Sequence, residues 1–142
     1  MRCAIGADDN GPLTEALLAE LGRREIAAER FGALRTPAGG EWASIGRAVG
    51  DAVAAGRADF GIVCCWTGTG ISIAANKVRG VRAALCGDAE TAAGARRWND
   101  ANVLALSLRA TSPAVGLEIL AAFLASDAST DASDRRSVAA LE

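Results

Sequence analysis

Short apolar runs of strand character alternate with longer segments of helical periodicity along almost the whole chain, and this alternation limits the fold more than any single residue does. Arg2 to Ala7 reads as a first strand, and Pro12 to Gly22 as a helix whose Leu13, Ala16, Leu17 and Leu21 share one face. Glu25 to Phe31 is a short second strand, followed by a loop through Pro37, Gly39 and Gly40. A helix from about Trp42 to Ala55 leads to a strand at Phe60 to Cys65, and the helix after Gly70 stops near Gly80. Val81 to Cys86 is a fourth strand, Asp88 to Trp98 a helix, Ala101 to Leu106 a fifth strand, and Thr111, Ser112 and Pro113 open a helix lasting to about Ser126. Units of this length predict an α/β fold in three layers, a doubly wound parallel sheet of five strands with right-handed crossovers. Residues 1–126 make the single domain. Residues 127–142 are a connector, mobile through Asp134, and a short helix over Arg135 to Leu141 that docks elsewhere, on a partner subunit.

Ligands of such sheets sit beyond the carboxyl ends of the strands. Asp8 and Asp9, Cys65 to Gly70, Gly87 and Asp88, and Ser107 to Arg109 all fall at that edge. The stretch Gly61 to Lys77 is the richest of these: a buried strand running into a thiol, then Thr67-Gly68-Thr69-Gly70, then a helix. Backbone N–H groups and a helix dipole at such a junction stabilise a thiolate, an enolate or a phosphate. Cys64 lies inside the strand and reads as an inert buried thiol; Cys65, last in the strand, is either that or a reactive thiolate. The glycine–threonine turn fits a phosphate cradle, an oxyanion hole or a tight turn, and it lacks the residues of a Walker loop or a dinucleotide fingerprint. Asp8 and Asp9 either cap the helix near Pro12 or face a ligand. Asn99 and Asp100 either shape a turn or touch a substrate, and Arg109 is a solvated charge or a phosphate ligand. Trp42, Trp66 and Trp98 are packing residues or binding platforms, with Trp66 set to narrow any pocket at the turn.

Composition removes several classes of function. The chain contains no histidine, so proton chemistry falls to Cys, Asp, Glu, Lys or solvent. A net charge of −2 argues against general nucleic-acid binding. The longest apolar run, near Ile119 to Ala125, is far short of the ~20 residues that cross a bilayer. Asp8 and Asp9 arrive too early for a signal peptide, and Cys3, Cys64, Cys65 and Cys86 lack zinc-site spacing, so a cytoplasmic protein with reduced thiols is expected.

Three segments carry a family likeness: Gly61 to Lys77, with its Ser-Ile-Ala-Ala-Asn-Lys run, Gly80 to Cys86, and Asn99 to Leu106. Together they resemble the ribose-5-phosphate isomerase B and galactose-6-phosphate isomerase family over most of the chain. The resemblance implies a flavodoxin-like fold, a homodimer or dimer of dimers with sites between subunits, and interconversion of aldose and ketose phosphates without metal or other cofactor. It assigns Cys65 as the base that moves a proton between C1 and C2 through an enediolate. Thr67 and the N–H groups through Gly68, Thr69 and Gly70 match the stabilising loop. Asp8 matches the acid beside the sugar hydroxyls, Asn99 a substrate contact, Arg109 a phosphate ligand, and Arg136 an arginine reaching the phosphate across the dimer.

Four positions depart from the family pattern. Asp9 and Trp98 stand where histidines are usual, the second being the ring-opening one; Trp66 replaces a small glycine, and Ala132 replaces a second tail arginine. A site that has lost ring opening still suits a sugar phosphate that is already open-chain, a four-carbon one or one phosphorylated where no stable ring can form, and the added bulk of Trp66 and Trp98 fits a smaller substrate or a different sugar, four- or six-carbon. The rival readings are a catalytically silent sugar-phosphate-binding homologue and, less supported, a flavin-binding module.

Overall fold

A computed structural model describes residues 1–142. Five strands, β1 (Arg2–Ala7), β2 (Ala27–Gly32), β3 (Phe60–Cys65), β4 (Ala83–Leu85) and β5 (Val103–Ser107), form one parallel sheet in the order β2-β1-β3-β5-β4. Six helices accompany them: α1 (Pro12–Arg23), α2 (Trp42–Ala54), α3 (Thr69–Asn76), α4 (Ala89–Asn99), α5 (Pro113–Ala125) and α6 (Ala132–Ala139). The three-layer, doubly wound architecture is the expected one. Hydrophobicity sets the strand order: β3 and β5 are buried along their whole length and lie side by side inside the sheet, whereas β4 is three partly exposed residues at an edge.

Side-chain alternation divides the core in two. Cys3, Ile5, Phe60, Ile62, Cys64, Leu104 and Leu106 face Leu13, Leu17 and Leu21 of α1 and Ile119, Leu120 and Phe123 of α5. On the other face Ala4, Val63, Cys65, Val103 and Ala105 meet Ile45 and Val49 of α2 and Ile71 and Ala75 of α3. Helices α2 and α3 approach closely because Gly46 has no side chain; a Cβ there would lie 2.7 Å from the Ile71 carbonyl oxygen. That contact fixes α3, and with it the loop that follows Cys65.

Several boundaries differ from the sequence expectation. The expected fourth strand, Val81 to Cys86, shrinks to Ala83–Leu85, and the helix expected to run to Gly80 ends at Asn76. There the Asn76 side chain bridges to Ala83, donating to its carbonyl at 2.9 Å and accepting from its N–H at 2.8 Å. Neither Asp8 nor Asp9 caps α1. The cap is Gly11, whose N–H donates to Thr14 Oγ1 (2.9 Å) while that hydroxyl donates to Asn10 Oδ1 (2.6 Å). Helix α6 starts at Ala132, inside the expected connector, because the Asp131 carboxylate accepts from Ser133 N at 2.7 Å and caps it. In the single chain this helix packs on its own α4, and the tail is tied back where the Arg82 guanidinium donates to Glu142 (2.6 Å).

All four cysteines are free thiols. Burial, reinforced by neighbouring charge, pushes the Cys64 thiol up to about 12 and Cys3 well above the ordinary thiol range. A folded-state value above the unfolded one of about 8.5 stabilises the fold fully below that pH, and the stabilisation is lost as pH rises toward the folded value. Each such thiol costs about 1.4 kcal/mol per pH unit in that window. With no tyrosine and Lys77 the single lysine, the chief other contributor is a third buried thiol, Cys86, which burial pushes up to about 11. Urea unfolding should therefore give a constant stability from pH 7 to 8 and a falling one above pH 9, and Cys64→Ala should make the fall shallower without abolishing it, since Cys3 and Cys86 remain. A stability unchanged to pH 10.5 would contradict this.

Candidate active site

Strand parity separates the two adjacent cysteines. Cys64 points into the layer of α1 and α5 and has no exposure, whereas Cys65, at the carboxyl end of β3, points toward α3 and is 5% exposed. Beyond it the chain turns on Gly68, whose N–H donates to the Cys65 carbonyl (3.2 Å) and whose φ of +76° is left-handed. Only glycine adopts this conformation freely, and space demands it as well: a Cβ would lie 2.8 Å from the carbonyl carbon of Leu106 and 2.6 Å from Leu85 Cδ1. Gly68 is also the cap of α3 and has no side chain with which to satisfy that helix. The N–H groups of its first turn, Thr69, Gly70 and Ile71, thus have no acceptor within the helix and make its positive end. Because the Gly68 N–H is already bonded, the N–H groups of the turn available to an anion are those of Thr67 and of Thr69 to Ile71, and Gly68 drops out of the expected set. Thr67 and Thr69 share a hydrogen bond between their hydroxyls at 2.7 Å.

The loop after β5 is stitched to this turn. Leu108 N–H donates to the Cys65 carbonyl (2.9 Å), Arg109 N–H to the Trp66 carbonyl (3.0 Å), and Ser107 Oγ also to the Trp66 carbonyl (2.9 Å) while accepting from Ala110 N–H (3.1 Å). These bonds set Arg109 on the same edge as Cys65 with its guanidinium outside every ion pair of the chain. Thr67, Gly87, Ser107, Arg109 and Thr111 line a hollow of about 320 Å³ there. Cys86 also borders it, but burial pushes its thiol up to about 11 and the thiol points at the Ala84 carbonyl (3.6 Å).

Asp8 follows β1, whose Ala7 pairs with Cys64, so its carboxyl lies beside the end of β3. Partial burial, with the Asp9 charge adding to it, raises its proton affinity above that of an ordinary carboxylate. Asp9 is exposed and accepts from the Asn10 N–H (2.8 Å). The Trp66 side chain is 66% exposed at the same edge. No group of three or more histidine, cysteine, aspartate or glutamate side chains gathers to hold a metal ion.

Two predicted residues lie elsewhere. Asn99 is the last residue of α4, at the amino edge of the sheet, and borders a hollow with Asn76, Arg82 and Leu141. Arg136 sits on α6, which packs on α4. Neither is assembled with Cys65 within one chain. Two contributors had escaped the sequence reading in these roles. Ser107 is the hydroxyl that ties the two loops, and a polar residue closing an otherwise apolar strand was the available signal. Trp42 lies flat against Gly70, its ring 3.0 Å from where a Cβ would stand, and no pattern in the sequence pairs those positions.

Residues 3–141 match the ribose/galactose isomerase family. The chain belongs to that family. It is 46% identical over 79 residues to the galactose-6-phosphate isomerase subunit LacB of Clostridium acetobutylicum, a match that takes in 56% of the chain and 46% of the relative. It is 45% identical over 73 residues to the D-erythrulose-4-phosphate isomerase of Pectobacterium atrosepticum, over 51% of the chain and 48% of the relative. The aligned part is thus about half the length of these two curated relatives. The ribose-5-phosphate isomerase B structure from Clostridium thermocellum superposes with a TM-score of 0.92 at 35% identity, over 99% of this chain and 95% of that one. No helix is long and apolar enough to cross a membrane.

Proposed function

We propose that the chain interconverts the aldose and ketose forms of a small sugar phosphate by proton transfer through an enediolate. One observation carries this reading: Cys65 sits at the end of β3 directly before a left-handed glycine turn and the unsatisfied N–H groups of α3, with Arg109 held at the same edge by its own N–H bond to the Trp66 carbonyl and that of Leu108 to the Cys65 carbonyl. As a thiolate, Cys65 takes the proton from the carbon next to the carbonyl. The negative charge that then develops on oxygen faces the Thr67 hydroxyl and the N–H groups of Thr69 and Gly70, which are fixed before the reaction and need not reorganise. Asp8, with its raised proton affinity, exchanges protons with the sugar hydroxyls. Arg109 receives the phosphate.

Asn99 and Arg136 lie at the opposite sheet edge, so they can serve the site only from a second copy. The reading therefore includes a homodimer, or a dimer of such dimers, in the cytoplasm, with the α4 end and α6 of one subunit reaching the carboxyl edge of the other. The Trp66 side chain exposed at this edge and the replaced family positions favour a sugar other than ribose 5-phosphate.

Arg109→Ala tests the phosphate end. A charge-assisted hydrogen bond is worth roughly 1.5–3 kcal/mol, so KM for the sugar phosphate should rise about 10- to 100-fold with a smaller change in kcat. Inorganic phosphate should inhibit the wild type and lose that effect in the variant. An unchanged KM would remove Arg109 from the site. The rival reading, a silent binding homologue, is favoured instead if four-, five- and six-carbon phosphates all bind saturably and none turns over.

A further inference from the structure

The isomerase reading leaves open which sugar phosphate is used, and the proton-transfer groups at the carboxyl edge bear on it. Isomerisation itself needs few of them. A base removes the C2 proton of the aldose as O1 gains one, and the same base returns its proton to C1 as O2 loses one, so atoms and charge balance. Cys65 and Asp8 cover these transfers. Opening a furanose is a different demand: a base must take the proton of the anomeric hydroxyl while an acid delivers one to the ring oxygen and the C–O bond breaks. Little remains at this edge to do it. The Asp88 carboxylate caps α4, accepting from Thr91 N–H (2.7 Å) and Thr91 Oγ1 (3.0 Å), and the Asp9 carboxylate is exposed and bonded to Asn10. Cys86 is buried and bonded to a carbonyl.

A second copy does not repair this. Whatever surface a partner presents, it is this same sequence, and the sequence has no histidine. The amino edge offers the Trp98 indole, 54% exposed, which donates a hydrogen bond but takes no proton. Beside it are Arg97, over the Trp98 ring, and Arg135, whose guanidinium groups donate only, and one carboxylate, Asp134, which has no acid partner among these residues to protonate a ring oxygen. Asp100 is held between Arg82 (3.0 Å) and Arg96 (3.2 Å).

We infer that the substrate is an acyclic four-carbon sugar 4-phosphate, because this histidine-free site carries the proton-transfer half of an aldose–ketose isomerase and neither edge pairs a free base with an acid that could open a ring. A tetrose 4-phosphate carries its phosphate on the one hydroxyl that would close a five-membered ring on C1, and its ketose has none to close either. Both partners of the reaction are therefore open-chain, and the missing step is never required. One family relative bears the name D-erythrulose-4-phosphate isomerase, which places such substrates within reach of this fold.

The inference rests on the isomerase reading, and the test separates the two. Purified wild type and Cys65→Ala are assayed by proton NMR on D-erythrose 4-phosphate, D-threose 4-phosphate and ribose 5-phosphate. Acid–base catalysis contributes about 10²- to 10⁴-fold, so kcat/KM for at least one four-carbon phosphate should exceed that for ribose 5-phosphate by that factor, with both activities lost in Cys65→Ala. A ribose 5-phosphate activity equal to or above the four-carbon ones, and dependent on Cys65, overturns the open-chain inference and leaves the isomerase reading intact. Inactivity on all three overturns the inference. If no carbon-bound proton exchanges either, the isomerase reading falls with it.

Discussion

Cys65→Ala is expected to lower kcat by at least about 10³-fold while the variant still binds sugar phosphate with nearly unchanged affinity. A positioned base contributes 10²- to 10⁴-fold, and the upper part of that range applies because no imidazole stands by as a substitute. Binding should survive because the proposed phosphate ligand is Arg109 and the loop hydrogen bonds do not involve the thiol: the bonds to residue 65 are made to its carbonyl, from Gly68 and Leu108 N–H, and alanine keeps that carbonyl. Cys64→Ala is the matched control. It removes a buried thiol from the opposite face of the same strand, so it should lower stability and leave kcat near the wild-type value. Equal losses in the two variants would mean that the thiols act through packing alone.

Gly68→Ala should be damaging for a different reason. The alanine must hold a left-handed backbone, at a cost of about 1–3 kcal/mol, and its Cβ would press on the Leu106 backbone and on Leu85. Leu106 belongs to a fully buried central strand and cannot give way, so the turn must move. Including the overpacking, the variant should lose roughly 2–5 kcal/mol, which for a chain of this size lowers Tm by about 5–15 °C. Because the turn carries Thr67 and leads into α3, kcat should fall at least about 10-fold even well below the melting temperature. A Tm within 2 °C of wild type, with full activity, would show that this turn is far more plastic than its contacts allow.

The sheet and its carboxyl edge were legible in the sequence because four of the five strands are short, mainly apolar runs, β2 with Glu29 and Arg30 being the exception, and because a parallel sheet sends its loops to predictable ends. Cys65, the turn and Arg109 followed from that geometry and from the family likeness. What was not legible depends on three-dimensional neighbours. The shortness of β4 reflects an edge position and the Asn76 bridge to Ala83, which periodicity cannot reveal. The α1 cap passed from the aspartates to Gly11 because Thr14 and Asn10 satisfy the helix end from within. Trp42 reads as one more aromatic in sequence; only packing places it against Gly70. Asn99 and Arg136 show the limit most plainly, since a single chain holds them at the far edge of the sheet from Cys65.

The account stands on proton transfer between adjacent carbons, and turnover in deuterium oxide tests it most directly. Wild-type protein incubated with D-erythrose 4-phosphate in D₂O should yield ketose carrying solvent deuterium at C1, and should wash the C2 proton out of recovered aldose, in a manner that depends on Cys65. Conversion with complete retention of the original hydrogen would indicate a hydride shift and contradict the account.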